Sequence, residues 1–140
     1  MVRIVVDTNV IISALVFGGA PRIVLDGAAA GFYECCFSQA IRDEAKRVLQ
    51  QKFGWTMERV EAALTTLFGW FTEIKPKRKL SVIKDDPDDD RILEWAIAGN
   101  AQLIISGDRH LLLLGKFESV RIQNVREFLE EKCWLISNPE

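Results

Sequence analysis

The chain has 140 residues, an apolar fraction of 49%, a charged fraction of 27% and a formal net charge of -2. That size and composition fit one globular domain with a core of its own and exclude a disordered or low-complexity chain. The charge supplies no global basic field, so a nucleic-acid substrate has to be held by a few local cations or through a bound metal.

Short apolar runs alternate with longer helical patterns, the signature of an α/β fold on a central, mostly parallel sheet. The first strand is Arg3 to Asp7, followed by a short helix from Asn9 to Val16 and the loop Phe17-Gly18-Gly19-Ala20-Pro21. Pro21 suits the first turn of a second helix that stops at Gly31. A second strand spans Tyr33 to Phe37. Ser38 caps a helix over Gln39 to Lys52, and Thr56 caps another over Met57 to Trp70. An extended piece, Thr72 to Lys75, leads into the basic run Lys75-Pro76-Lys77-Arg78-Lys79. Asp85-Asp86-Pro87-Asp88-Asp89-Asp90 is a turn and a helix start, and that helix ends near Gly99-Asn100. Then follow a strand (Leu103 to Ser106), a turn at Gly107-Asp108, a short helix (His110 to Leu114), a strand (Val120 to Ile122) and a helix (Val125 to Lys132). Residues 1–132 read as one domain and 133–140 as a loose C-terminal tail.

Cys35 and Cys36 sit in an apolar stretch, Cys133 stands alone, and His110 is the one histidine. No CxxC or Cys/His spacing is present, so a zinc site is not expected. Reduced, buried cysteines fit a cytoplasmic chain. No apolar run reaches the roughly 18 residues of a membrane span, and the N-terminus shows no signal-peptide pattern.

Four acidic positions carry the chemistry. Ligands of open parallel sheets bind outside the carboxyl ends of the strands, and Asp7 and Asp108 each close an apolar run at such an end. For either one a turn former or a helix cap is the plain alternative. Asn9 either caps the short helix or hydrogen-bonds the acids. Glu44 falls within the stripe of Ala40, Ile41, Ala45, Val48 and Leu49, whereas Asp43 points roughly the opposite way. An ion pair or a snorkelling side chain is the alternative for Glu44. Within Asp88-Asp89-Asp90, one or two acids serve the helix dipole. Like charges this close are unfavourable without a cation, and oxygen-only ligands select Mg²⁺ or Mn²⁺.

The chain resembles PIN-domain (PilT N-terminus-like) proteins over about residues 2 to 130. The resemblance rests on Val5-Val6-Asp7-Thr8-Asn9-Val10, on Glu44 in a helix that continues Arg47-Val48-Leu49, and on Asp86-Pro87-Asp88-Asp89-Asp90-Arg91-Ile92-Leu93. It runs on to Ile104-Ile105-Ser106-Gly107-Asp108-Arg109-His110-Leu111. It is closest to the toxin components of toxin–antitoxin pairs related to VapC-like ribonucleases. The resemblance implies a three-layer α/β/α PIN-like fold and metal-dependent endoribonuclease activity. It also implies a homodimer and, in many members, a cognate antitoxin. It makes Asp7, Glu44, Asp90 and Asp108 the catalytic and metal-binding acids, supported by Asn9 and Ser106. The crowded Asp88-Asp89-Asp90 leaves the third ligand open between Asp90 and Asp89, and the number of ions open between one and two.

Substrate contacts are less legible. Lys77 in the basic run tracks a phosphate backbone or belongs to a solvated loop. Arg91 and Arg109 either touch phosphate or pair with the acids. Trp70 and Trp95 read as core or dimer interface, and Trp55 and Trp134 as freer for base stacking. Two other readings compete. A phosphatase or phosphoreceiver-like domain also uses Asp at strand ends, but the second Asp after Asp7 and the late Lys are missing. A non-catalytic PIN-like interaction module is expected to have lost an acid, and none is lost.

Overall fold

The computed structural model describes residues 1–76 and 87–137, with side chains given over 1–76 and 90–131. Its strands are β1 (Arg3–Val6), β2 (Glu34–Phe37), β3 (Thr72–Glu73), β4 (Leu103–Ile105), β5 (Lys116–Phe117) and β6 (Val120–Gln123). They form one sheet in the order β3-β2-β1-β4-β6-β5. All neighbours are parallel except β5 and β6. The strands read as continuous apolar runs because both faces are covered. Ile4, Val5, Leu103, Ile104 and Ile105 are all buried.

The helices are α1 (Thr8–Val16), α2 (Gly19–Ala29), α3 (Gln39–Gln51), α4 (Met57–Phe68), α5 (Pro87–Ala98), α6 (Arg109–Leu114) and α7 (Val125–Ser137). From β1 the chain steps outward to β2 and β3, then crosses back to β4 on the other side of β1 and continues to β6. Right-handed crossovers put the helices of these opposite excursions on opposite faces, which gives the expected three layers. The direction reverses between β1 and β4, the place where such sheets open a crevice at their carboxyl edge.

Caps fix the helix starts as expected. The Ser38 hydroxyl accepts from the Ile41 N–H at 3.3 Å and the Thr56 hydroxyl from the Arg59 N–H at 3.2 Å. α3 then buries Ile41, Ala45 and Leu49. Several boundaries differ from the sequence expectation. β1 ends at Val6, and Asp7 is the N-cap residue of α1. A short β5 is added where Gly115, at φ 71°, ends α6 and returns the chain antiparallel to β6. Two residues carry no alternation from which a strand can be read. α7 runs through Ser137 instead of giving way to a loose tail at Cys133. Phe128, Leu129, Cys133 and Ile136 continue one helical spacing, with no Gly or Pro before Pro139. The basic run from Lys77 onward lies outside the described residues, and Lys75 and Pro76 are exposed. Among the described residues no single helix is long and apolar enough to cross a membrane.

α2 is packed through a glycine. The buried Tyr33 hydroxyl donates to the Val24 carbonyl at 2.5 Å, and its ring meets Phe128 edge-on at 5.0 Å. A Cβ on Gly27 would collide with that ring. Gly27→Ala, which in an exposed helix is stabilising by about 1 kcal/mol, is therefore expected to destabilise this protein by roughly 1–3 kcal/mol. Urea denaturation with an unchanged slope checks it. A midpoint equal to or above that of the parent chain overturns it.

Candidate functional site

Asp7 is held from both sides by its backbone. Its N–H donates to the Ile105 carbonyl at 2.9 Å, and its carbonyl accepts from Val10 and Ile11 as α1 begins. The side chain takes no part in capping that helix. Instead Oδ2 accepts from the Ser106 hydroxyl at 2.7 Å. The same Ser106 oxygen accepts from the Asp108 N–H at 3.0 Å. A serine hydroxyl has one proton and two lone pairs, so Ser106 ties the ends of β1 and β4 together from a fully buried position. Asp108 in turn caps α6, with Oδ1 accepting from His110 at 2.8 Å and Leu111 at 3.2 Å. The cap alternative for Asp108 thus holds, and it also fixes the orientation of the carboxylate.

Glu44 is partly buried in the stripe of α3, and its neighbour Asp43 is exposed. Burial pushes the Asp7 carboxyl above the usual carboxylate range. Hydrogen bonds from Ser106 and Thr8 draw it back, while the charges of Glu44 and Asp108 add to the rise. Two of the other three acids, from α3 and from the end of β4, therefore act on the carboxylate at the end of β1. The fourth acid, Asp90, is 4% exposed in the first turns of α5, which packs on β1 and β4. The side chains of Asp88 and Asp89 lie outside the described residues.

Asn9 is exposed and makes no hydrogen bond to an acid among the described residues. α1 starts one residue earlier than expected, at Thr8, so Thr8 is the buried polar residue and Asn9 turns outward. Arg91 pairs with Glu94 at 2.6 Å. Arg109 is exposed in the first turn of α6, and Lys77 lies outside the described residues. Glu94 is an addition to the sequence expectation. It is 4% exposed, and its signal in the sequence is its place four residues after Asp90, on the same side of a helix.

Of the two alternatives for Trp70, core and dimer interface, its exposure removes the first. Trp70 is 61% exposed just beyond α4, and Trp55 lies half-buried under Arg59, 3.8 Å from the ring centre. Both line a groove of 510 Å³ with Leu25, Arg59 and Leu67, between α2 and α4. None of Asp7, Glu44, Asp90 and Asp108 lines that groove, so the hollow and the acidic chemistry are separate features.

Among the described residues no three His, Cys, Asp or Glu side chains stand close enough together to enclose an ion. The donor chemistry at the carboxyl edge, carboxylate and hydroxyl oxygens only, is nevertheless that of a hard divalent cation. Burial is the main cause that raises Asp7, and the like charges that add to it are of the kind such a cation relieves.

A family model described as PIN domain matches residues 3–110, a span that includes all four acids. The chain belongs to the PIN domain family. No curated protein matches this PIN domain. Among solved structures it is similar to a chain of VapBC2 from Rickettsia felis, crystallised bound to a DNA fragment from their promoter. The TM-score is 0.64 at 14% identity, covering 87% of this chain and 98% of that one. At that identity the likeness is one of fold, and it places the three-layer sheet and its helices within the PIN-like architecture.

Proposed function

We propose that this PIN domain is a Mg²⁺- or Mn²⁺-dependent endoribonuclease and the toxin of a toxin–antitoxin pair. The observation that carries the reading is the Asp7–Ser106–Asp108 connection at the point where the sheet reverses direction, with the charge of Glu44 bearing on Asp7. Asp7, Glu44, Asp90 and Asp108 would hold the ion by drawing closer together around it than they stand in its absence. Such an ion supplies Lewis acidity and charge neutralisation at a phosphodiester. Ser106 fixes the rotamer of Asp7, and the cap on α6 fixes that of Asp108, so these two carboxylates are oriented before a ligand arrives. Asp7, raised by burial and like charge, keeps a proton more readily than an ordinary aspartate and gives it up when a cation enters.

The partner proposals follow the same family. VapBC2 is a complex bound to promoter DNA, and we place an antitoxin protein beside this chain as well. We place the twofold face of a homodimer on α2 and α4, where Leu25 and the exposed Trp70 lie. The buried free thiols of Cys35 and Cys36 suit a reducing cytoplasm.

The test is cleavage of mixed single-stranded RNA by the full chain with millimolar Mn²⁺, with Mg²⁺ and with EDTA. Cleavage in either metal and none in EDTA is expected. Intact RNA under all three conditions, or cleavage that EDTA leaves untouched, overturns the reading.

A further inference from the structure

Glu94 is a buried carboxylate that nothing above uses. Its side chain is 5% exposed, while that of its partner Arg91 is 45% exposed, and the two are joined at 2.6 Å. Such a pairing is poor as a stabilising device, because removing a carboxylate from water costs several kcal/mol and an apolar side chain fills the same space at no such cost. It is well suited to holding a cation still. Helical side chains lean toward the helix N-terminus. Glu94 therefore reaches back toward Arg91 and toward the turn that carries Asp90. α5 leads into β4, which is parallel to β1, so the N-terminal turn of α5 lies at the carboxyl edge with the acids. Among the described residues the rest of the Arg91 guanidinium makes no hydrogen bond. It therefore presents further N–H donors, in a planar fork that matches phosphate.

We infer that Glu94 is a positioning residue that holds Arg91 at the edge of the acidic site to grip a phosphate of a single-stranded RNA backbone. The inference rests on the ribonuclease reading above. A chain of net charge -2 has no broad basic surface for RNA, so a cation oriented in advance is worth more than one that must be ordered on binding. Arg109, exposed at the start of α6, has no comparable buried anchor among the described residues.

The experiment is steady-state cleavage of single-stranded RNA by the full chain in Mn²⁺, at several salt concentrations, with melting temperatures recorded for every variant. Arg91→Ala is expected to raise KM about tenfold, the worth of a charge-assisted hydrogen bond. It should also flatten the salt dependence of binding by about 0.7 in log–log slope. Glu94→Gln is expected to raise KM several-fold, and to add nothing when combined with Arg91→Ala, because it acts through that side chain. Arg91→Lys keeps the ion pair and the fold but loses the fork, and should also raise KM at an unchanged melting temperature. Factors for Glu94→Gln and Arg91→Ala that multiply, or an Arg91→Lys variant with the parent KM and salt slope, overturn the inference while the ribonuclease reading stands. A parent chain that leaves RNA intact in Mn²⁺ overturns both.

Discussion

Asp7→Asn, Glu44→Gln, Asp90→Asn and Asp108→Asn are each expected to reduce RNA cleavage on the order of a hundredfold or more, the scale on which preorganised charge acts in an active site. Asp43→Asn and Asp88→Asn should change it by less than about twofold, the effect of removing a solvated or helix-start charge. The amides conserve shape. In Asp7→Asn the amide oxygen can still accept from the Ser106 hydroxyl, and an asparagine caps α6 nearly as well as Asp108 does. Loss of activity with an intact far-ultraviolet spectrum therefore reports the charge and not the fold. The sharpest comparison is Glu44 against Asp43, adjacent residues of like charge, one in the buried stripe of α3 and one exposed. A diffuse electrostatic role treats them alike. Equal activity of Glu44→Gln and Asp43→Asn removes Glu44 from the site.

The same Asp7→Asn variant is expected to melt higher than the parent chain in EDTA at pH 7, by roughly 2–4 °C for each 1 kcal/mol gained in a domain near this size. The sign follows from the raised carboxyl. Its pKa is higher in the folded protein than in the unfolded chain, so its contribution to stability is complete below the unfolded value near 4 and is lost as pH rises through the folded value. The gap between variant and parent should therefore close near pH 3.5 and open toward neutrality. Millimolar Mn²⁺ should raise the parent melting temperature and leave that of Asp7→Asn nearly still. Coincident melting curves for the two proteins in EDTA at pH 7, or equal responses to Mn²⁺, contradict the account. On the proposed reading Asp7 would cost stability until a cation arrives, an exchange of stability for function.

Much of this site is legible in the residues because its parts obey strong local rules. Val5-Val6-Asp7 and Ile104-Ile105-Ser106 are apolar runs that end in polar groups, and parallel pairing of β1 with β4 brings those ends together. Glu44 follows from helical spacing alone. Side-chain direction within a first turn is harder to read. Moving the start of α1 by one residue exchanges the roles of Thr8 and Asn9, and no composition rule sets that phase. Glu94 is hidden because Ile92, Leu93, Ala96 and Ile97 dominate the pattern of α5. A charge among them looks like the solvent side until the helix is packed against β1 and β4. β5 is too short to have a period, and α7 outlasts Lys132 because propensity and spacing continue where charge suggests a stop.

The bond between the Asp7 N–H and the Ile105 carbonyl lies in the middle of the sheet, with strands on both sides of the β1–β4 pair. Amide hydrogen exchange should rank the sheet accordingly. The two-residue edges β3 and β5 should open by local fluctuation, while the amides of β1 and β4 exchange only when the whole domain unfolds. Asp7 and Asp108 thus hang from the slowest-opening part of the molecule, and the spacing between their backbones should survive proteolytic nicking or fraying anywhere on the rim.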